Sequence, residues 1–162
     1  MSCRVGLGFD AHPFVEGRRL VLGGVEIPHE RGLAGHSDAD VLVHALMDAL
    51  LGACGERDIG VRFPDTDPTF RGISSMVLLE EVMGVVLERG FRVLNVDCVV
   101  AAQEPRISPY VEEMRKRLAF ILRVPESRVG IKATTTEGMG FTGRGEGIAA
   151  MAVALVEERT EP

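Results

Sequence analysis

Residues 39–53 are apolar nearly all the way round a helical wheel, with His44 and Asp48 as polar exceptions one turn apart. That pattern predicts a helix buried on every side rather than one with a wet face. Ser37, Asp38 and Asp40 supply cap oxygens ahead of it, and Gly55 follows as its stop. Residues 73–89 form a second, amphipathic helix that ends at Gly90. A third starts at Ser108, placed to cap it, with Pro109 at the first helical position. Val111, Met114, Leu118 and Ile121 lie along one face of that helix, while Glu112, Glu113, Arg115, Lys116 and Arg117 face away. Residues 4–9, 20–27 (closed by Pro28), 91–101 and 129–134 read as strands. The alanine-rich stretch 148–156 fits a helix or a buried strand equally. Segments 29–37, 55–72, 102–107 and 138–147 are polar or rich in glycine and proline, and read as loops. With no internal repeat and no linker, strands alternating with helices predict a single two-layer α/β domain over residues 1–162.

The chemistry concentrates around Gly8-Phe9-Asp10-Ala11-His12-Pro13. If residues 4–12 are a strand, Asp10 and His12 point to the same face. A carboxylate and an imidazole on one face are two thirds of a zinc site, and His44 is available as the third ligand. Three protein ligands leave a fourth position for substrate, the arrangement of a catalytic zinc. A second reading fits His44 as well: a core histidine bonded to a carbonyl, since buried polar groups need partners. Asp40 lies four residues before His44 and is expected to orient a site imidazole from behind. Thr134, Thr135, Thr136 and Glu137 put three hydroxyls and one hard oxygen ligand at a strand end. They read either as phosphate and Mg²⁺ or Mn²⁺ contacts or as a β-branched strand end with a solvated glutamate. The glycine-rich run 138–147 is not a phosphate loop of the Walker type, because no Gly-Lys-Ser/Thr follows it.

Composition narrows the partners. Of the 162 residues, 46% are hydrophobic and 26% charged, which makes the chain globular. The formal net charge of -6 argues against a nucleic-acid partner, which needs a basic surface. It leaves room for a small phosphorylated ligand held by metal and backbone amides. Cys3, Cys54 and Cys98 are odd in number and far apart, so neither a disulfide framework nor a zinc ribbon is expected. A reducing, cytoplasmic setting is the default expectation. No apolar run reaches about 18 residues and no leader pattern opens the chain, so neither a membrane span nor a signal peptide is expected.

Four ordered motifs run along essentially the whole chain: Gly8-Phe9-Asp10-Ala11-His12; Gly35-His36-Ser37-Asp38-Ala39-Asp40-Val41; Asp58-Ile59-Gly60 with Phe63-Pro64-Asp65-Thr66-Asp67-Pro68; and Lys132-Ala133-Thr134-Thr135-Thr136-Glu137 with Gly140-Phe141-Thr142-Gly143-Arg144-Gly145-Glu146-Gly147. In these the chain resembles the 2-C-methyl-D-erythritol 2,4-cyclodiphosphate synthase family of non-mevalonate isoprenoid synthesis. The resemblance implies a two-layer α+β sandwich, a mixed β-sheet with helices packed on one face, in which residues 148–156 are a strand. It implies a homotrimer with an active site at each subunit interface. The implied reaction is that of a lyase on a small CDP-linked substrate. In 4-diphosphocytidyl-2-C-methyl-D-erythritol 2-phosphate the 2-phosphate attacks the β-phosphorus, CMP leaves, and an eight-membered cyclic diphosphate forms. Such an intramolecular attack needs no protein nucleophile; it needs a cage that folds the substrate back and neutralises crowded anions.

By the same resemblance, Asp10, His12 and His44 bind Zn²⁺, and Glu137 helps hold a second divalent cation, Mg²⁺ or Mn²⁺, between the α- and β-phosphates. His36 and Thr135 match positions that stabilise the transition state. Asp58 and Gly60 match residues that hold the ribose, and Asp65 one that faces the methylerythritol hydroxyls. Ala102, Gln103, Glu104, Pro105, Arg106, Ile107 and Ser108 match the loop that reads cytosine, largely through backbone. Arg106 stands where lysine is expected and Ser108 where a larger apolar residue is usual, so contacts there depart from the pattern. Ser37, Ile59, Phe63, Pro64, Thr66, Asp67, Thr134 and Thr136 fall in the same motifs as further substrate contacts. Phe141 and Arg144 match residues near a three-fold axis, where an isoprenoid diphosphate is a candidate ligand of a central cavity. Two other readings make different products: a zinc hydrolase with Glu137 as base would give a linear phosphate, and a non-catalytic trimer with a structural metal would release no CMP.

Overall fold

Gly6 and Gly8 alternate with Val5, Leu7 and Phe9 along β1 (Cys3–Glu16), and that alternation decides where the first helix lies. In the computed structural model, which describes residues 2–159, α1 (Val41–Ala53) packs on the glycine face of β1 and on β7 (Gly147–Glu158). Gly6 is paired with Ala154 and Gly8 with Ala152, so the bed beneath α1 has almost no side-chain height. The backbones therefore come close: a Cβ built on Gly8 would stand 1.8 Å from the Ala45 carbonyl oxygen. Asp10 and His12 continue the same face, opposite Ala150 and Ile148. Close approach of α1 thus brings His44 down onto them.

The chain order is β1, β2 (Leu20–Leu22), β3 (Val25–Ile27), β4 (Arg31–Leu33), α1, α2 (Ile59–Arg62), α3 (Ser75–Glu88), β5 (Phe91–Ala101), α4 (Val111–Leu122), β6 (Val129–Thr134), α5 (Gly140–Gly143) and β7, with single 3₁₀ turns at Pro68–Phe70, Ser108–Tyr110 and Glu126–Arg128. The sheet order is β4-β1-β7-β5-β6. Its pairs are antiparallel except β5–β6, so the sheet is mixed. Helices α1, α3 and α4 form the second layer. Leu42, Leu46, Met47, Leu50 and Leu51 of α1 are fully buried, each such side chain contributing about 1.5–3 kcal/mol. The opposite face of the sheet is bare and apolar: Val5, Leu7, Phe9, Met151 and Val153 are 41–66% exposed.

Several expectations need correction. Residues 20–27 are a hairpin rather than one strand, because Gly23 and Gly24 both take positive φ and turn the chain. The loop 29–37 contains β4, which pairs with the end of β1. Ser108 does not cap α4: its hydroxyl accepts from Arg106 Nε at 3.3 Å, and a 3₁₀ turn leads into the helix. Residues 148–156 lie in a strand, as the resemblance implied. Ala150, Ala152 and Ala154 are small because α1 lies on them, which explains a composition that mimics helix. No helix among the described residues is long and apolar enough to cross a membrane.

Burial pushes the Cys98 thiol up to about 12 and raises that of Cys54. Thiolate is the reactive form. Alkylation of Cys54 and Cys98, followed by mass spectrometry, is therefore expected only once the protein is unfolded; rapid labelling of either in the native protein would contradict this packing.

Candidate active site

Asp10 and His12 stand on β1 and His44 on α1, and their donor atoms converge. His12 Nε2 lies 2.8 Å from Asp10 Oδ2 and 3.1 Å from His44 Nδ1, and His44 Nδ1 lies 3.1 Å from Asp10 Oδ2. Around a tetrahedral zinc with bonds of about 2.0–2.2 Å, ligand atoms sit roughly 3.3–3.6 Å apart, so these three atoms need part by only a few tenths of an ångström to somewhat under about 1 Å to take such an ion. The tautomers fit as well. His12 Nδ1 donates to the Ala34 carbonyl at 2.7 Å, which leaves Nε2 to face the cluster. Burial acts to raise the Asp10 carboxyl, but the adjoining His12 and His44 imidazoles outweigh it and hold the group well below the usual carboxylate range. A carboxylate and two imidazole nitrogens aimed at one point are a donor set suited to a divalent transition metal.

This cluster opens into a cavity of about 370 Å³ whose walls include His36, Ser37, Ile59, Gly60, Phe63 and Asp65. His36 Nε2 donates to the Asp67 carbonyl at 2.8 Å. Asp58 caps α2 by accepting from Val61 N at 3.3 Å, and Asp48 accepts from Ile59 N at 2.8 Å, tying this wall to α1. The rings of Phe63 and Phe70 meet edge to face at 5.4 Å. Pro64, Thr66 and Asp67 form the turn beside them, with the Pro64 carbonyl accepting from Asp67 N at 3.0 Å.

A second cavity, about 590 Å³, is lined by Ala102, Gln103, Glu104, Pro105, Arg106, Ile107 and Ser108 on one side and Ala133, Thr134 and Thr135 on the other. Ile107 is buried in the core, so its side chain packs inward. Glu137 sits next to this cavity in a positive-φ backbone (φ 54), and its carboxylate accepts from Thr135 Oγ1 at 3.4 Å. The two cavities share no lining residue. Within one chain, then, Thr135 and Glu137 stand apart from His36 and the Asp10–His12–His44 cluster. Thr136 turns inward, donating to the Met139 carbonyl at 2.6 Å, and Arg144 pairs with Glu146 at 3.1 Å. Phe141 is 41% exposed on α5, away from both cavities. A further cavity, about 800 Å³ beside α3 and α4, holds none of the motif residues.

Asp40 does not stand behind an imidazole. Its carboxylate accepts from Gly23 N, Gly24 N and Val43 N at 2.9, 2.7 and 3.1 Å, so it caps α1 and holds the β2–β3 turn. Burial pushes this carboxyl up to about 6, with the charge of Asp38 adding to the effect. The groups behind His44 are Ser37 and Ser75, each with its Oγ 3.0 Å from Nε2. Ser75 was not singled out in the sequence, where it lies at the start of the helix expected over residues 73–89. His29, on the wall of the second cavity, was likewise not singled out.

A family model described as the YgbB family matches residues 3–157. The chain is 61% identical over 155 residues to the 2-C-methyl-D-erythritol 2,4-cyclodiphosphate synthase of Pelotomaculum thermopropionicum, covering 96% of each. It is 56% identical over 155 residues to the enzyme of the same name from Bacillus subtilis, covering 96% of this chain and 98% of that one. A solved structure of a 2C-methyl-D-erythritol-2,4-cyclodiphosphate synthase in a CDP-bound form superposes with a TM-score of 0.87 at 40% identity, covering 95% of this chain and 100% of that one. On the family match and on identity sustained over nearly its whole length, the chain belongs to the YgbB family.

Proposed function

We propose that this chain cyclises 4-diphosphocytidyl-2-C-methyl-D-erythritol 2-phosphate to the 2,4-cyclodiphosphate with release of CMP. An oxygen of the 2-phosphate forms a bond to the β-phosphorus. The bond from that phosphorus to the oxygen bridging the α-phosphate breaks, and its electron pair leaves with CMP. The observation that carries this reading is the convergence of Asp10, His12 and His44 at a cavity whose walls bear residues of the second and third family motifs, His36, Ser37, Ile59, Gly60, Phe63 and Asp65.

Asp10, His12 and His44 would hold zinc, and Glu137, together with substrate phosphates, would hold Mg²⁺ or Mn²⁺. Bound there, the cations supply Lewis-acid stabilisation of charge on the phosphate oxygens. His36 and Thr135 stand as hydrogen-bond donors to the transition state, each of a kind typically worth about 10²–10³ in rate. Asp58, Gly60 and Asp65 position the sugar portions, and residues 102–108 receive the cytosine. CDP in the solved relative supports a nucleotide diphosphate as the ligand.

Two observations support a homotrimer that completes the site. The Asp10–His12–His44 cluster and the cavity at residues 102–108 share no wall in one chain, which favours a second copy supplying the other half of the site. The bare apolar sheet face offers the surface for that contact. In the trimer, Phe141 and Arg144 would stand near the axis, with an isoprenoid diphosphate as the candidate ligand there. A solution mass three times the chain's 17.5 kDa is expected from light scattering.

The test mixes the purified protein with the diphosphocytidyl substrate, zinc and magnesium, and follows phosphorus NMR. A cyclic diphosphate plus CMP, with turnover lost on adding EDTA, is the expected result. CMP with a linear phosphate would mean hydrolysis and would overturn the cyclase reading.

A further inference from the structure

The imidazole of His44 reaches the metal cluster with Nδ1 while its other nitrogen is buried against α3. We propose that Ser75, held by Asp38, is a positioning residue that fixes the His44 ring and its tautomer, so that Nδ1 presents a lone pair to the metal. This rests on the metal reading of the cluster.

The argument is a proton count. Asp38 grips Ser75 twice: Ser75 Oγ donates to Asp38 Oδ1 at 2.5 Å, and Ser75 N donates to Asp38 Oδ2 at 3.1 Å. A serine hydroxyl has one proton. Ser75 gives it to the carboxylate, so its oxygen can meet His44 only as an acceptor. His44 Nε2, 3.0 Å away, must then carry the ring proton, which leaves Nδ1 bare. Ser37 completes the set. Its Oγ accepts from Ala39 N at 3.2 Å and can give its proton to Ser75 Oγ at 3.4 Å. Every hydrogen in the group then has an acceptor without placing one on Nδ1. Ser75 is fully buried, Ser37 and His44 nearly so, and water therefore does not scramble these roles.

The device also explains why α3 begins where it does. Ser75 is its first residue, and Asp38, in the loop before α1, accepts from it while Asp38 N donates to the Ile73 carbonyl at 3.0 Å. The carboxylate thus links the starts of two helices and aims one imidazole.

The experiment uses the full chain, ¹⁵N-labelled at histidine, first stripped of metal at alkaline pH and then titrated with zinc against a chromophoric chelator. Long-range ¹H–¹⁵N correlation of the stripped wild type should show His44 protonated on Nε2; a proton resident on Nδ1 would overturn the proposal. Ser75→Ala should shift the His44 nitrogens toward a mixed tautomer and weaken zinc binding by about 10–100-fold, the usual cost of losing a group behind a ligand. Ser75→Thr, which keeps the hydroxyl, should restore both. Unchanged His44 shifts and zinc affinity in a folded Ser75→Ala would overturn it too. The tautomer measurement on the wild type needs neither the variant nor the metal, so it decides this inference even if Ser75→Ala fails to fold. A wild type that takes up no zinc would instead count against the metal reading of the cluster.

Discussion

His12→Ala should leave a folded protein that has lost both its metal and its turnover. His12 is one of three donors, its ring is part-exposed, and among the described residues its hydrogen-bond partner outside the cluster is the Ala34 carbonyl. Its removal should therefore cost little stability. The same change takes away one third of the donor set. A bound metal contributes several kcal/mol of transition-state stabilisation to a reaction on phosphate oxygens. At about 1.4 kcal/mol per factor of ten, losing roughly 4 kcal/mol lowers CMP release about 10³-fold. The checks are metal content by atomic emission after dialysis and the rate of CMP release, with circular dichroism to confirm the fold. A variant that keeps stoichiometric metal and near-normal turnover would remove His12 from the site.

Gly8→Ala should do the opposite and damage the fold first. The added methyl would meet the Ala45 carbonyl oxygen at 1.8 Å and Ala49 N at 2.8 Å, both backbone atoms in the middle of α1. A flexible side chain could swing away; a helix backbone cannot. To make room, α1 must lift off the sheet and open the core around Leu42, Leu46 and Leu50. Overpacking a core typically costs about 1–3 kcal/mol, and with rigid backbone as the obstacle the upper end or beyond is expected here. At roughly 2–4 °C per kcal/mol for a chain of this size, thermal unfolding should fall by about 6–12 °C. Because α1 carries His44, metal affinity should fall with it. Gly52→Ala, in the same helix, is the control. Nothing lies within 4 Å of its added Cβ, so it should stabilise the protein by about 0.5–1 kcal/mol through helix propensity. Equal effects of the two substitutions would refute the close-approach account.

The alternation that makes Gly8 critical is visible in the sequence, where Gly6 and Gly8 alternate with Val5, Leu7 and Phe9. What lay across from them was not. The full burial of α1 was legible for a simple reason: a helix apolar on every side has no face to give to water. The strand at 148–156 was ambiguous for an equally physical reason, since the alanines that accommodate α1 are also the best helix formers. The Gly23-Gly24 turn carried a hairpin signal that was read instead as strand interior. Asp40 was correctly seen as a cap, but its further assignment to an imidazole failed because helical spacing does not say which way a carboxylate at the cap turns. It turned to the two glycine N–H groups of the hairpin turn, which needed acceptors.

By itself, then, the sequence determined what depends on near neighbours. It settled the helix periods, the strand that sets Asp10 and His12 on one face, and the motifs that carry the family. Only the tertiary structure decided what depends on contacts between distant segments: that His44 Nδ1 meets Asp10 and His12, that Ser75 and Asp38 stand behind it, and that this cluster and the cavity at residues 102–108 share no wall in one chain. The reason is that periodicity and capping are fixed by atoms a few residues apart, whereas the aim of a side chain is fixed by whichever buried partner must satisfy its hydrogen bonds, and that partner can lie anywhere along the chain.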